Sequence, residues 1–123
     1  MAKTQVLIVE DERIVAAELR RRLIRLGYDV SGTASSGQEA IDKAHLLRPD
    51  LVLMDVGLMG SMTGLEAGEA IHARLQIPVV YLTGRAESTL PEGLRLYISK
   101  PLDEAALQNT LARALAGPPS GTS

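Results

Sequence analysis

At 123 residues the chain has the length of one domain with a core of its own. Its formal charge of -2 gives no electrostatic reason to expect nucleic acid as a partner. With no cysteine, disulfides, thiolate catalysis and zinc–cysteine sites are excluded, and without Phe or Trp the core must be aliphatic.

Met1 to Gln5 run directly into a strand pattern, so no signal peptide is expected. The first strand is the apolar run Val6-Leu7-Ile8-Val9, which ends in Glu10-Asp11-Glu12. Over residues 12–26, Val15, Leu19, Leu23 and Leu26 recur on one helical face, while Arg13, Arg20, Arg21, Arg22 and Arg25 crowd the remainder. Those arginines form either a solvated face or a docking surface for a protein partner. Gly27 stops this helix, and Asp29 to Ala34 reads as the second strand.

Ser35-Ser36 with Glu39 offers a capping box for a helix through about Leu47, followed by Pro49. Residues 51–55 form the third strand, and a glycine-containing loop leads to a helix from about Leu65 to Leu75. Pro78 opens the fourth strand, Val79-Val80-Tyr81-Leu82, and a short fifth is Tyr97-Ile98-Ser99. The last helix starts at Asp103, a good N-cap, with Leu107, Leu111 and Leu115 facing the core.

Residues 1–116 are expected to form one domain and Gly117 to Ser123 a disordered tail. Alternating strands and helices with short connections predict an α/β fold, a doubly wound five-stranded parallel sheet with four or five helices. The unbroken apolar runs agree, because strands buried on both faces lose their period-2 alternation. No apolar stretch approaches the ~20 residues that cross a bilayer, so a cytoplasmic protein without membrane contact is expected.

Four of the five strands deliver a polar group at the C-terminal end, the edge at which open parallel sheets bind ligands. Glu10-Asp11-Glu12, Asp55, Thr83 and Lys100 would meet there. Crowded carboxylates favour a cation between them, and Mg2+ fits because it takes oxygen ligands and often needs only one or two carboxylates. A carboxylate can attack phosphorus to give an acyl phosphate, provided the incoming charge is neutralised. Mg2+, the Lys100 ammonium and the Thr83 hydroxyl could do so together. His45 and His72 are far apart in sequence and lack metal-ligand spacing.

From about Thr4 to Leu115 the chain resembles a response-regulator receiver domain. The resemblance rests on Val9-Glu10-Asp11-Glu12, Met54-Asp55, Leu82-Thr83-Gly84 and Lys100-Pro101, in that order. It implies the flavodoxin-like receiver fold with strand order 2-1-3-4-5. Asp55 is then the phosphoacceptor and Asp11 the main Mg2+ ligand, with Glu10 beside it and the Gly57 backbone carbonyl as a further ligand. Thr83 is the switch hydroxyl, Lys100 the phosphate-binding ammonium and Tyr97 the switch aromatic. The Lys100-Pro101 bond is expected to be cis. A sensor histidine kinase or histidine phosphotransfer protein is the implied phosphodonor, and the domain a self-catalysed acceptor rather than a multiple-turnover enzyme.

Two departures from the family pattern stand out. Met59 replaces the familiar proline four residues past the acceptor, and one residue is inserted before the Gly64-Leu65 helix start. Thr83 to Lys100 spans 17 positions, about five fewer than is usual, more than one helical turn. Pro91 and Gly93 lie within that segment, so the fourth helix is expected to be shortened or missing. The expected function is that of a stand-alone receiver signalling through protein–protein contacts. The alternatives are a non-phosphorylated receiver-like interaction module and a small aspartyl-phosphate phosphohydrolase. A flavodoxin-like FMN binder fits the fold class less well, because Glu10-Asp11-Glu12 would repel a phosphate in the absence of metal.

Overall fold

A computed structural model describes residues 3–58, 60–84, 96–100 and 102–116. Strand β1 (Gln5–Val9) leads into helix α1 (Arg13–Arg25), followed by β2 (Asp29–Ala34), α2 (Gly37–Leu47), β3 (Leu51–Asp55) and α3 (Gly64–Leu75). Then come β4 (Val79–Thr83), β5 (Tyr97–Ser99) and α4 (Glu104–Ala116). All strand pairs are parallel, in the order β2-β1-β3-β4-β5, as expected.

The central strands are apolar on both faces because both faces are covered. Val6, Ile8, Leu51, Leu53, Val80 and Leu82 pack with Leu19 and Leu23 of α1 and Leu107 and Leu111 of α4. Leu7, Val9, Val52, Met54 and Tyr81 face the other way, against Ala40 and Ala44 of α2 and Ala67 and Ile71 of α3. Each fully buried leucine contributes roughly 1.5–3 kcal/mol relative to exposure, and the core is aliphatic apart from Tyr81.

Helix ends follow local chemistry. Gly27, at φ +98, allows the Tyr28 N–H to reach back to the Leu23 carbonyl and close α1. Arg48 and Gln76 take the left-handed conformation after α2 and α3. Ser36 caps α2 by accepting from the Glu39 N–H. The return bond runs to Ser35, whose N–H donates to Glu39 Oε1 at 2.8 Å, one residue earlier than a capping box requires. A complete capping box closes the start of α3, between Thr63 and Glu66. Asp103 accepts from the Ala106 N–H at the start of α4.

Among the described residues there are four helices, none long and apolar enough to cross a membrane. The shortened fourth helix, the cis Lys100-Pro101 bond and the disordered tail fall on residues 85–95, Pro101 and 117–123, outside the described residues. The order β2-β1-β3 means that the chain leaves β1 in one direction and returns on its other side. A crevice therefore opens at the C-terminal ends of β1 and β3.

Candidate functional site

Parallel register brings the strand ends together. Val9 pairs with Met54, so Glu10 and Asp55 emerge side by side, while Asp55 pairs with Leu82 and Thr83 with Ser99. The ladder continues past the strands. The Glu10 N–H donates to the Ala34 carbonyl, that of Val56 to Leu82 and that of Lys100 to Thr83, all at 2.8–2.9 Å. These bonds keep five strand ends in register where the chemistry sits.

A cleft of about 440 Å³ opens there, lined by Asp11, Glu12, Asp55, Val56, Gly57, Thr83, Gly84 and Lys100. Carboxylate oxygens of Glu10, Asp11 and Asp55 all lie within 4.8 Å of one another. Glu10, Asp55 and Thr83 are almost fully buried, at 4%, 5% and 1% exposure. The Lys100 ammonium sits 3.4 Å from Asp55 Oδ1 and 3.8 Å from Glu10 Oε2. Asp55 Oδ1 also accepts from the Gly57 N–H at 3.0 Å.

Three carboxylates face one ammonium, and the imbalance has a measurable consequence. Burial, followed by the charge of Asp55, pushes the Glu10 carboxyl up to about 7, with Lys100 offsetting only part of the effect. Glu10 Oε2 is buried without a hydrogen-bond partner among the described residues. Such an oxygen is costly unless a cation completes it. The other oxygen, Glu10 Oε1, accepts from the Glu12 N–H at 3.2 Å, at the N-cap of α1. The donor set is all oxygen, as Mg2+ requires, and the residues fit that ion.

Of the residues singled out in the sequence, Glu10, Asp11, Asp55, Gly57, Thr83 and Lys100 converge on this cleft. Tyr97 lies apart from it. It pairs in register with Tyr81 and packs, half-buried, against the α2/α3 side of the core. Three of the five arginines are engaged within the molecule. Arg21 and Arg22 pair with Glu18, and Arg25 pairs with Glu104 of α4.

The profile of the response regulator receiver domain matches residues 6–112. The chain belongs to that family. It is 38% identical over 102 residues to the transcriptional regulatory protein PdtaR of Mycobacterium tuberculosis, an alignment covering 79% of this chain and 49% of that protein. This receiver thus spans about half the length of the curated relatives it matches. The solution structure of the PhyR response-regulator receiver domain from Erythrobacter litoralis superposes with a TM-score of 0.86 at 31% identity, covering 100% of this chain and 98% of that one. The receiver domain of the sensor histidine kinase PA1611 from Pseudomonas aeruginosa, solved with a magnesium ion coordinated in its active-site cleft, gives a TM-score of 0.81 at 30% identity over 94% and 99% of the two chains.

Proposed function

We propose that this receiver accepts a phosphoryl group on Asp55 in a Mg2+-dependent reaction and signals through protein–protein contacts. The donor is a sensor histidine kinase or a histidine phosphotransfer protein. One observation carries the reading: Asp55 Oδ1 is bracketed by the Gly57 N–H and the Lys100 ammonium, beside an acidic pocket. An oxygen of the Asp55 carboxylate forms a bond to phosphorus as the bond to the donor breaks, and the donor keeps that electron pair. From acetyl phosphate the leaving group is acetate. From phosphohistidine it is the imidazole nitrogen, which takes up a proton from water. The product is an acyl phosphate that stays on the chain, so the protein is an acceptor rather than a turnover catalyst.

Lys100 and the Thr83 hydroxyl hold the oxygens of the arriving phosphoryl group, and the burial of Thr83 strengthens its interaction. Glu10, Asp11, Asp55 and the Gly57 carbonyl would hold Mg2+, which when bound neutralises charge on the transferred group. Thr83 closes β4 and Tyr97 opens β5, the neighbouring strand. Drawing the hydroxyl towards a phosphoryl group therefore shifts the ladder against which Tyr97 packs, and the two residues form the switch.

The test is incubation with Mg2+ and acetyl phosphate followed by intact mass. A single phosphoryl adduct is expected. No adduct would favour the interaction module, and rapid multiple turnover the hydrolase.

A donor protein must rest on the surface around the cleft while its phosphohistidine reaches Asp55. Beside Lys100 lies a second depression of about 320 Å³, lined by Ile14, Glu18, Arg22 and Leu102 among others. Ile14 is 85% exposed, an unusual position for a large apolar side chain. Ile14→Asp is expected to slow phosphotransfer from the cognate kinase at least about tenfold, the size of an interface hot spot. Uptake from acetyl phosphate should be unchanged. Equal slowing in both assays would reject Ile14 as a docking contact.

A further inference from the structure

The peptide joining Asp55 to Val56 is confined from two sides. The Val56 N–H donates to the Leu82 carbonyl at 2.9 Å, tying the peptide to β4 one residue before Thr83. On the other side, the Asp55 carbonyl lies against Gly64, the first residue of α3. A Cβ at Gly64 would collide with the Asp55 oxygen and lie only 3.0 Å from both the Asp55 carbonyl carbon and the Val56 Cα. These obstacles are backbone atoms and cannot swing aside as a side-chain end would. Gly64 does not need glycine for its backbone angles, since the positive-φ glycines among the described residues are Gly27 and Gly60. In a helix, alanine is ordinarily the better residue. What glycine supplies at position 64 is closeness to Asp55.

The start of α3 is fixed independently of that contact. Thr63 and Glu66 cap it reciprocally. Met62, just before it, packs on Gly37 at the start of α2, where an added Cβ would lie 3.0 Å from Met62 Cγ. The helix start thus forms a firm stop for the acceptor's own peptide.

We propose that Gly64 is a positioning residue for phosphoryl transfer: its missing side chain lets α3 press on the Asp55 carbonyl and so sets the angle at which the Asp55 carboxylate meets Gly57 and Lys100. The proposal rests on the acceptor role of Asp55. That carboxylate is only two bonds from the backbone, and Oδ1 is aimed at the Gly57 N–H at 3.0 Å and at Lys100 at 3.4 Å. Any tilt of the Asp55-Val56 peptide carries Oδ1 off this alignment. Misplacement of a reacting atom by about 1 Å can cost ~100-fold in rate.

The experiment compares phosphoryl uptake from acetyl phosphate, at saturating Mg2+, by the wild type, Gly64→Ala and Gly68→Ala. The folded fraction of each is measured by circular dichroism. Gly68 is the matched control, because a Cβ there, one turn along the same helix, would meet the ring of Tyr81, away from the carboxylates. For Gly64→Ala the rate at saturating donor should fall at least about tenfold, with the half-saturating donor concentration within about threefold of wild type. Gly68→Ala should keep the wild-type saturated rate within about twofold, which a purely structural role for both glycines would not allow.

Wild-type speed in folded Gly64→Ala, or equal slowing in Gly68→Ala, overturns the proposal. If Gly64→Ala does not fold, Thr63→Ala takes its place, loosening the helix start without adding an atom near Asp55. A fall of about threefold or more in its saturated rate supports the proposal, and a smaller change overturns it. A wild type that takes up no phosphoryl group brings down the acceptor role and this inference together. A competent wild type with an unimpaired Gly64→Ala brings down the inference alone.

Discussion

Asp55→Asn is expected to end phosphoryl uptake altogether and, in the metal-free protein, to raise the melting temperature by several degrees. The first effect follows from chemistry, since an amide oxygen lacks the charge that makes the carboxylate a nucleophile. The second follows from crowding. Carboxylate oxygens from Glu10, Asp11 and Asp55 lie within 4.8 Å of one another, and Glu10 and Asp55 are nearly inaccessible to water. Asparagine keeps the shape and can still accept the Gly57 N–H, yet removes one of the mutually repelling charges. Against this stands the lost attraction to Lys100, which is 36% exposed and retains Glu10 as a neighbour at 3.8 Å. The net gain should be on the order of 1 kcal/mol, or roughly 3–6 °C for a domain of this size. Intact mass after acetyl phosphate treatment checks the first effect and thermal melts in EDTA the second. An adduct surviving in the variant would remove Asp55 as the acceptor, and a lower melting temperature would show that Lys100 outweighs the repulsion.

The sheet was readable because strands covered on both faces cannot alternate. Val6 to Val9 and Leu51 to Met54 are unbroken apolar runs in sequence and wholly buried in the structure. The site was readable for a related reason. Once the strands are parallel, whatever follows each run must arrive at one edge, which places Glu10, Asp55, Thr83 and Lys100 together. Relative depth is harder to read. The family resemblance implies Asp11 as the main ligand, yet Glu10 is the deeper acid, and its N–H still belongs to the ladder through Ala34.

Contacts between distant backbone atoms leave no local pattern, so the pressure of Gly64 on Asp55 is invisible without coordinates. The Thr63–Glu66 cap did carry a signal, the T-x-x-E spacing ahead of α3. The i,i+3 and i,i+4 spacing of Glu18 to Arg21 and Arg22 is the local signal for pairing within the helix, beside the solvated and docking faces expected of these arginines. The pairing of Arg25 with Glu104 required the packing of α1 beside α4.

Magnesium should stabilise the wild type and be required for phosphoryl uptake, and the two effects should share a pH dependence set by Glu10. In the metal-free fold this carboxyl is raised from 4.5 to about 7, first by burial and then by the charge of Asp55. Between those values the folded chain holds a proton that the unfolded chain has released. Metal-free stability is therefore expected to fall as pH rises from about 4.5 to about 7 and to level off above, by about 1–3 kcal/mol in all. A bound divalent cation favours the ionised form, so magnesium affinity should climb over the same interval and the metal should remove most of the decline. At a hundredfold excess over its dissociation constant the ion adds about 2.7 kcal/mol. Asp11→Asn should lose most of that increment and slow uptake by about a hundredfold or more, as should EDTA with the wild type. Melting curves at pH 5, 6, 7 and 8 with and without magnesium decide the matter. Metal-free stability that rises across this range would mean that Glu10 is already ionised in the fold, and that Lys100 alone balances the acidic pocket.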